Sequence, residues 1–150
     1  MSQYAARTAR KRVVVAGGAG FVGGYLCDRL IDEGRSVVCL DNLLTGRMQN
    51  IHHLLEHPRF TYISHDAVRP VLNLATLKNG QVDEIYNLAC APSPKKYQID
   101  PIHTFKTNVF GAINLLDLAR LHGASILQST TSEVYGDPEI SPQPESYRGN

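Results

Sequence analysis

Short runs dominated by apolar residues alternate along this chain with longer stretches whose apolar positions recur every three or four residues. Val13–Val15, Ser36–Leu40, Phe60–Ser64, Glu84–Ala89 and Ser125–Gln128 are of strand length. Between them, Phe21–Glu33 carries Val22, Leu26, Leu30 and Ile31 at helical spacing. A longer helix is predicted over Ile102–Leu121, with Ile102, Phe105, Val109, Ile113, Leu116 and Ala119 in register. Gly34 and Gly123 stand where helices stop. Shorter helices are expected over Gln49–Glu56, ended by Pro58, and over Val71–Asn79, ended by Gly80. Strand and helix take turns throughout, which predicts an α/β fold: a doubly wound parallel sheet with helices on both faces.

Composition narrows the picture without changing it. A chain of 150 residues is long enough for one compact domain, burying roughly 70% of its unfolded surface. We read residues 1–11, with Arg7, Arg10 and Lys11, as a flexible arm, and 12–150 as the folded domain. A net charge of +1 with 19% charged residues gives no large field of one sign, so neither nucleic acid nor a membrane surface is expected as a partner. No apolar run reaches the ~20 residues of a membrane helix and the N-terminus lacks a secretory core, so a cytoplasmic location is expected. Cys27, Cys39 and Cys90 show no C-x-x-C spacing and are expected to be reduced. His53 and His57 lie four apart without an H-E-x-x-H pattern, and no metal is assigned.

The chemistry concentrates after the first strand. In Val15-Ala16-Gly17-Gly18-Ala19-Gly20-Phe21-Val22-Gly23, glycines let backbone approach a phosphate, and the N–H groups of the following helix favour the anion. Gly18, Gly20 and Gly23 fit one dinucleotide-binding register; Gly17, Gly20 and Gly23 fit another. Asp41 closes the second strand 18 residues after Gly23, where a carboxylate accepts from the adenosine ribose hydroxyls. Its charge disfavours a 2′-phosphate, so NAD is expected over NADP, while Arg47 in the next loop would suit NADP. Asp66, just past the third strand, reads either as a residue facing the adenine or as a turn cap. The loop Ala89-Cys90-Ala91-Pro92-Ser93-Pro94 falls at the carboxyl edge of the sheet, where such folds bind ligands.

These motifs, together with Leu40-Asp41-Asn42, Asn87-Leu88-Ala89, Lys106-Thr107-Asn108 and Ser129-Thr130-Thr131-Ser132-Glu133-Val134-Tyr135-Gly136-Asp137-Pro138, occur in an order that resembles the extended short-chain dehydrogenases/reductases. The likeness runs from about Arg12 to Asn150 and is nearest to the branch that decarboxylates UDP-glucuronate to UDP-xylose. It implies a Rossmann fold, NAD contacted by Gly17, Gly20, Phe21, Val22, Gly23, Asp41, Asn42, Asp66, Leu88, Ala89 and Lys106, and a UDP-sugar met by Pro92, Ser93, Tyr97 and Asn108.

The resemblance assigns Thr131 to polarising the sugar C4 oxygen, Ser132 to the carboxylate or enolate, and Glu133 to proton transfer. Thr131-Ser132-Glu133 matches the decarboxylases, whereas related dehydratases carry Thr-Asp-Glu there. An epimerase or 4,6-dehydratase of the same family is the alternative activity, and a noncatalytic NAD-binding or dimerising fragment is the alternative of another class. The family's Tyr-x-x-x-Lys pair is absent from these 150 residues, and the chain alone is expected to be inactive. Other departures are Ala16 for a usual threonine, Ala91-Pro92-Ser93-Pro94 for Pro-Ala-Ser-Pro, and Arg148 for tryptophan. The likeness further implies a homodimer packed through helices, one of them the long helix, whose apolar face is then expected to lie exposed.

Overall fold

The computed structural model describes residue 11, residues 12–91 and residues 93–150, so the expected arm falls outside it except for Lys11. Lys11 is tied down, its Nζ lying 2.5 Å from Glu84 Oε1. Five strands, β1 (Arg12–Ala16), β2 (Ser36–Asp41), β3 (Phe60–Ser64), β4 (Glu84–Asn87) and β5 (Ser125–Gln128), form one parallel sheet in the order β3-β2-β1-β4-β5. The chain builds outward from β1 to β3, crosses back, and continues on the other side with β4 and β5. The strand order therefore reverses between β1 and β4, opening a crevice at their carboxyl ends.

The β1 run is uniformly apolar because both of its faces are covered. Val13 and Val15 pack beneath α1 (Phe21–Asp32) with Cys27, Leu30, Ile31 and Ile51. Val14 and Ala16 face the opposite layer, with Leu77, Leu115 and Leu118. Val13, Val14 and Val15 are wholly buried, and burial of each side chain contributes about 1.5–3 kcal/mol.

Two expected helices take another form. The segment from Gln49 becomes two 3-10 turns, Met48–Asn50 and His52–Leu54, because Ile51 breaks helical backbone between them to sink its side chain into the α1 layer. The segment from Val71 becomes a 3-10 turn, Val71–Asn73, and the one-turn α2 (Ala75–Lys78), separated by Leu74 in extended backbone. Strand β4 stops at Asn87 rather than Ala89, since Leu88 and Ala89 turn away to wall the crevice.

After the single turn α3 (Pro94–Tyr97), helix α4 (Pro101–His122) starts on an Asp100 cap that accepts the His103 N–H at 2.9 Å. It ends at Gly123, whose φ of 64° suits glycine. Its core contact is made by Gly111, Leu115, Leu118 and Ala119. Of the stripe read from the sequence, Ala119 alone is buried; Ile102 and Phe105 are each 64% exposed, and Val109, Ile113 and Leu116 are also exposed. Among the described residues no helix is long and apolar enough to cross a membrane.

Candidate functional site

The site begins with closely spaced glycines, whose small size is required for different reasons. Gly17 leaves β1 at φ 78°, and a side chain there would press on the Leu88 carbonyl oxygen at 2.7 Å. Its own carbonyl accepts the Gly20 N–H at 3.0 Å, closing the turn. A Cβ on Gly23 would overlap that same carbonyl, so α1 can start this close to the turn only with glycine. Gly17 and Gly23 are therefore glycine for backbone reasons. Gly18 is small for a separate reason: Cys39 Sγ occupies the space a side chain would take.

Gly20 caps α1 without offering a side-chain acceptor, and no acidic residue occupies the first turn. The leading N–H groups of α1, which no helix can satisfy internally, are left for an anion. They border a hollow of about 420 Å³ at the β1–β4 crevice.

Asp41 is 8% exposed and stands beside the glycine turn. Ala19 N–H donates to its Oδ2 at 2.9 Å and Leu43 N–H to its Oδ1 at 2.7 Å. The second bond holds Leu43 at φ 59°, an uncommon conformation for a side chain of this size. Asp41 is thus a brace for the glycine turn as well as a wall of the hollow, a role that spacing alone did not reveal.

Asp66 lies on the same hollow and pairs with His103 of α4, Nε2 to Oδ2 at 2.8 Å, while the Val68 N–H donates to Oδ1 at 3.0 Å. Burial works against its charge, but the hydrogen bonds from His103, Val68 and Asn42 outweigh it and hold the carboxyl below the usual aspartate range. The cap reading of Asp66 is therefore met in the Val68 contact, and its place on the hollow stands beside it.

Gly17, Gly20, Phe21, Val22, Gly23, Asp41, Asn42, Asp66, Leu88 and Ala89 are gathered around this one hollow. Lys106 is not among its lining residues and is exposed; the positions that α4 turns inward are His103, Thr104 and Thr107. Ser93, Tyr97 and Asn108 also lie off the hollow, and Pro92 lies outside the described residues. Thr131, Ser132 and Glu133 follow β5 as an exposed turn in which Thr131 Oγ1 accepts the Glu133 N–H at 3.2 Å. They share the sheet's carboxyl edge with the hollow without lining it. Sequence reasoning passed over His65, His103, Thr104 and Thr107. For His103 and Thr107 the i, i+4 spacing was visible, but which face of α4 meets the crevice was not.

Parallel strands, a reversal of strand order and a glycine turn opening a helix at that reversal define a Rossmann-type nucleotide-binding fold. Residues 14–148 match the family described as GDP-mannose 4,6 dehydratase. The chain belongs to this family, within the extended short-chain dehydrogenases/reductases that its motifs resemble. It is 51% identical over 141 residues to UDP-glucuronic acid decarboxylase 1 of Arabidopsis thaliana, covering 94% of this chain and 31% of that one. It is 47% identical over 141 residues to UDP-glucuronic acid decarboxylase 1 of Xenopus tropicalis, covering 94% and 32%. The UDP-N-acetylglucosamine 4-epimerase from Methanobrevibacter ruminantium M1, solved in complex with UDP-N-acetylmuramic acid, superposes with a TM-score of 0.80 at 29% identity, over 94% of this chain and 44% of that one. The chain spans about a third of the length of the two decarboxylases.

Proposed function

We propose that this chain is the NAD-binding part of a nucleotide-sugar enzyme of the UDP-glucuronate decarboxylase type. The observation that carries the reading is the meeting of the Gly17–Gly23 turn, Asp41 and Asp66 on one hollow at the strand-order reversal.

The residues fit the cofactor. A side-chain-free cradle and open helix N–H groups suit a diphosphate, and the buried Asp41 carboxylate beside the turn suits ribose hydroxyls while repelling a 2′-phosphate. Held there, NAD would supply the oxidation and re-reduction of the sugar at C4, its oxidised and reduced forms serving in turn. Phe21 and Val22 at the start of α1 and Asn42 beside Asp41 would line the cofactor, and Lys106 is proposed as a further contact.

On the sugar, Thr131 would hold the C4 oxygen, Ser132 the carboxylate or the enolate left by its loss, and Glu133 would move a proton. A carboxylate β to a C4 ketone leaves as carbon dioxide into an enolate without a strong acid beside it, which is consistent with serine at 132. The about 50% identity to UDP-glucuronic acid decarboxylases supports this chemistry over that of the 4-epimerases, whose fold the chain shares. Pro92, Ser93, Tyr97 and Asn108 would meet the UDP-sugar, and the exposed face of α4 would pack on a second copy.

Titration of the chain with NADH, followed through the coenzyme's own fluorescence, tests the cofactor. A saturable change is expected, and its absence overturns the reading. Assay for UDP-xylose tests the division of labour: no turnover is expected from these 150 residues, in which no tyrosine has a lysine four positions later, and turnover would refute the need for that pair.

A further inference from the structure

The peptide group between Ala19 and Gly20, just ahead of α1, is held at both of its polar ends. Its N–H, from Gly20, donates to the Gly17 carbonyl at 3.0 Å. Its carbonyl, from Ala19, accepts the Arg47 backbone N–H at 2.9 Å and the Asn50 side chain at 2.7 Å. A carbonyl only accepts, so the Asn50 atom facing it is the amide nitrogen. Ala19 is wholly buried, and neither it nor Arg47 nor Asn50 lines the hollow.

The segment after β2 reaches the turn because its backbone comes very close. A Cβ on Gly46 would lie 2.8 Å from Asp41 Oδ1 and 3.1 Å from the Ala19 carbonyl carbon. Asn50 then closes the 3-10 turn Met48–Asn50 against α1, where a Cβ added to Gly24 would stand 3.2 Å from that of Asn50. Half-buried in this seat, the side chain points its amide back at the Ala19 carbonyl. The direction of that carbonyl matters because a peptide is a dipole: turned toward the hollow, its negative end would oppose the anion that the N–H groups of α1 attract.

We propose that Asn50 is a positioning residue for the diphosphate: it draws the Ala19 carbonyl into the protein and so leaves the leading N–H groups of α1 to meet the anion unopposed. The inference rests on the dinucleotide reading above and deepens it, adding a residue outside the glycine motif that sets how firmly the phosphates are held. The adenosine half of the cofactor does not depend on it.

NMR titration of the chain with ADP and with adenosine, which differ only in the diphosphate, tests the proposal, because amide shifts report weak as well as tight binding. The native chain is expected to bind ADP at least about tenfold more tightly than adenosine, the yield of a hydrogen bond to a charged group, and to shift the Phe21 and Val22 amides. Asn50→Ala removes the donor without adding charge and should weaken ADP about fivefold, with adenosine changed by less than about twofold. Asn50→Leu, which fills the same space, should do likewise and serves if the alanine protein folds poorly. Asn50→His, titrated at about pH 8 where an imidazole is neutral, returns an N–H donor and should recover most of the loss. The proposal is overturned by equal weakening of ADP and adenosine, by unchanged ADP affinity in the alanine or leucine protein, by no recovery in Asn50→His, or by native chain that binds ADP no better than adenosine. Any of these in a chain that still binds NADH saturably defeats this inference alone; native chain that binds neither NADH nor ADP defeats the cofactor reading and this inference with it.

Discussion

The Asp41 carboxylate accepts the backbone N–H of Ala19 at 2.9 Å, so the end of β2 holds the glycine turn that follows β1. One buried side chain thereby joins the two parts of the proposed site, and its removal should be felt in the fold before any ligand is added. In Asp41→Ala the N–H groups of Ala19 and Leu43 both lose their acceptor, at a cost of about 1–3 kcal/mol for each that stays buried and unpaired. Asp41→Asn keeps one acceptor oxygen and should lose less. Urea unfolding of the two variants should rank them in that order, and equal midpoints for native and alanine proteins would refute the bracing role.

Glycine positions should separate by what surrounds them. Gly23→Ala drives a methyl into the Gly17 carbonyl oxygen, and Gly17→Ala combines a φ of 78° with a Leu88 oxygen 2.7 Å away, so each should cost more than about 2 kcal/mol. Gly123→Ala, at φ 64° with nothing within 4 Å, carries only the backbone penalty of about 1 kcal/mol. Denaturant midpoints for the three give the ranking directly.

Acid should weaken the amino-end edge of the sheet through Glu84. Burial raises its carboxyl, but Lys11 and Arg35 outweigh that and hold it below the usual glutamate range. A folded-state value below the unfolded one means stability present above about pH 4.3 and lost as pH falls through the folded value. Urea midpoints measured from pH 7 to pH 3 should therefore fall in the acid limb, and Glu84→Gln should flatten that fall while lowering the midpoint at pH 7. An acid limb identical in both proteins would remove Glu84 from the explanation.

Thiol reactivity should divide the cysteines by depth. Cys27 and Cys39 are buried, whereas Cys90 is exposed. The hydrogen bond with Cys27, together with burial and the Asp41 charge, pushes the Cys39 thiol up, keeping it in the unreactive protonated form. An aromatic disulfide reagent should titrate one thiol quickly in the folded chain and all three in denaturant. Rapid labelling of two or more under native conditions would contradict the buried placement.

The outward face of α4 should govern association. Phe105 and Ile113 stand exposed on a helix whose core contact is made elsewhere, and apolar surface of this kind marks an interface. Sedimentation should give a mass near twice the 16.5 kDa of the chain, reduced to the single-chain value by Phe105→Glu with Ile113→Glu. A native chain that sediments as a monomer at high concentration would refute the homodimer proposal.

Local pattern by itself determined much of this molecule. Val13–Val15, Phe60–Ser64 and Ser125–Gln128 have few alternatives to strand, and the alternation of strand and helix leaves the parallel α/β class. The glycine motif and Asp41 were likewise readable, because a close approach of backbone to phosphate restricts residue type within a short window. Sequence also marked the apolar stripe on α4 from Ile102 to Ala119, yet periodicity reports only that a stripe exists. Leu115 and Leu118 meet the sheet while Phe105 and Ile113 face outward, and that orientation depends on how the whole helix crosses β4 and β5. The same tertiary placement brings His103 to Asp66 and leaves Lys106 out of the lining of the hollow, since a helix advances about 100° per residue and only docking sets its phase. The helix broken at Ile51 has the same origin: burying that side chain outweighed the small advantage of continuing a short helix, a comparison that no single window of sequence contains.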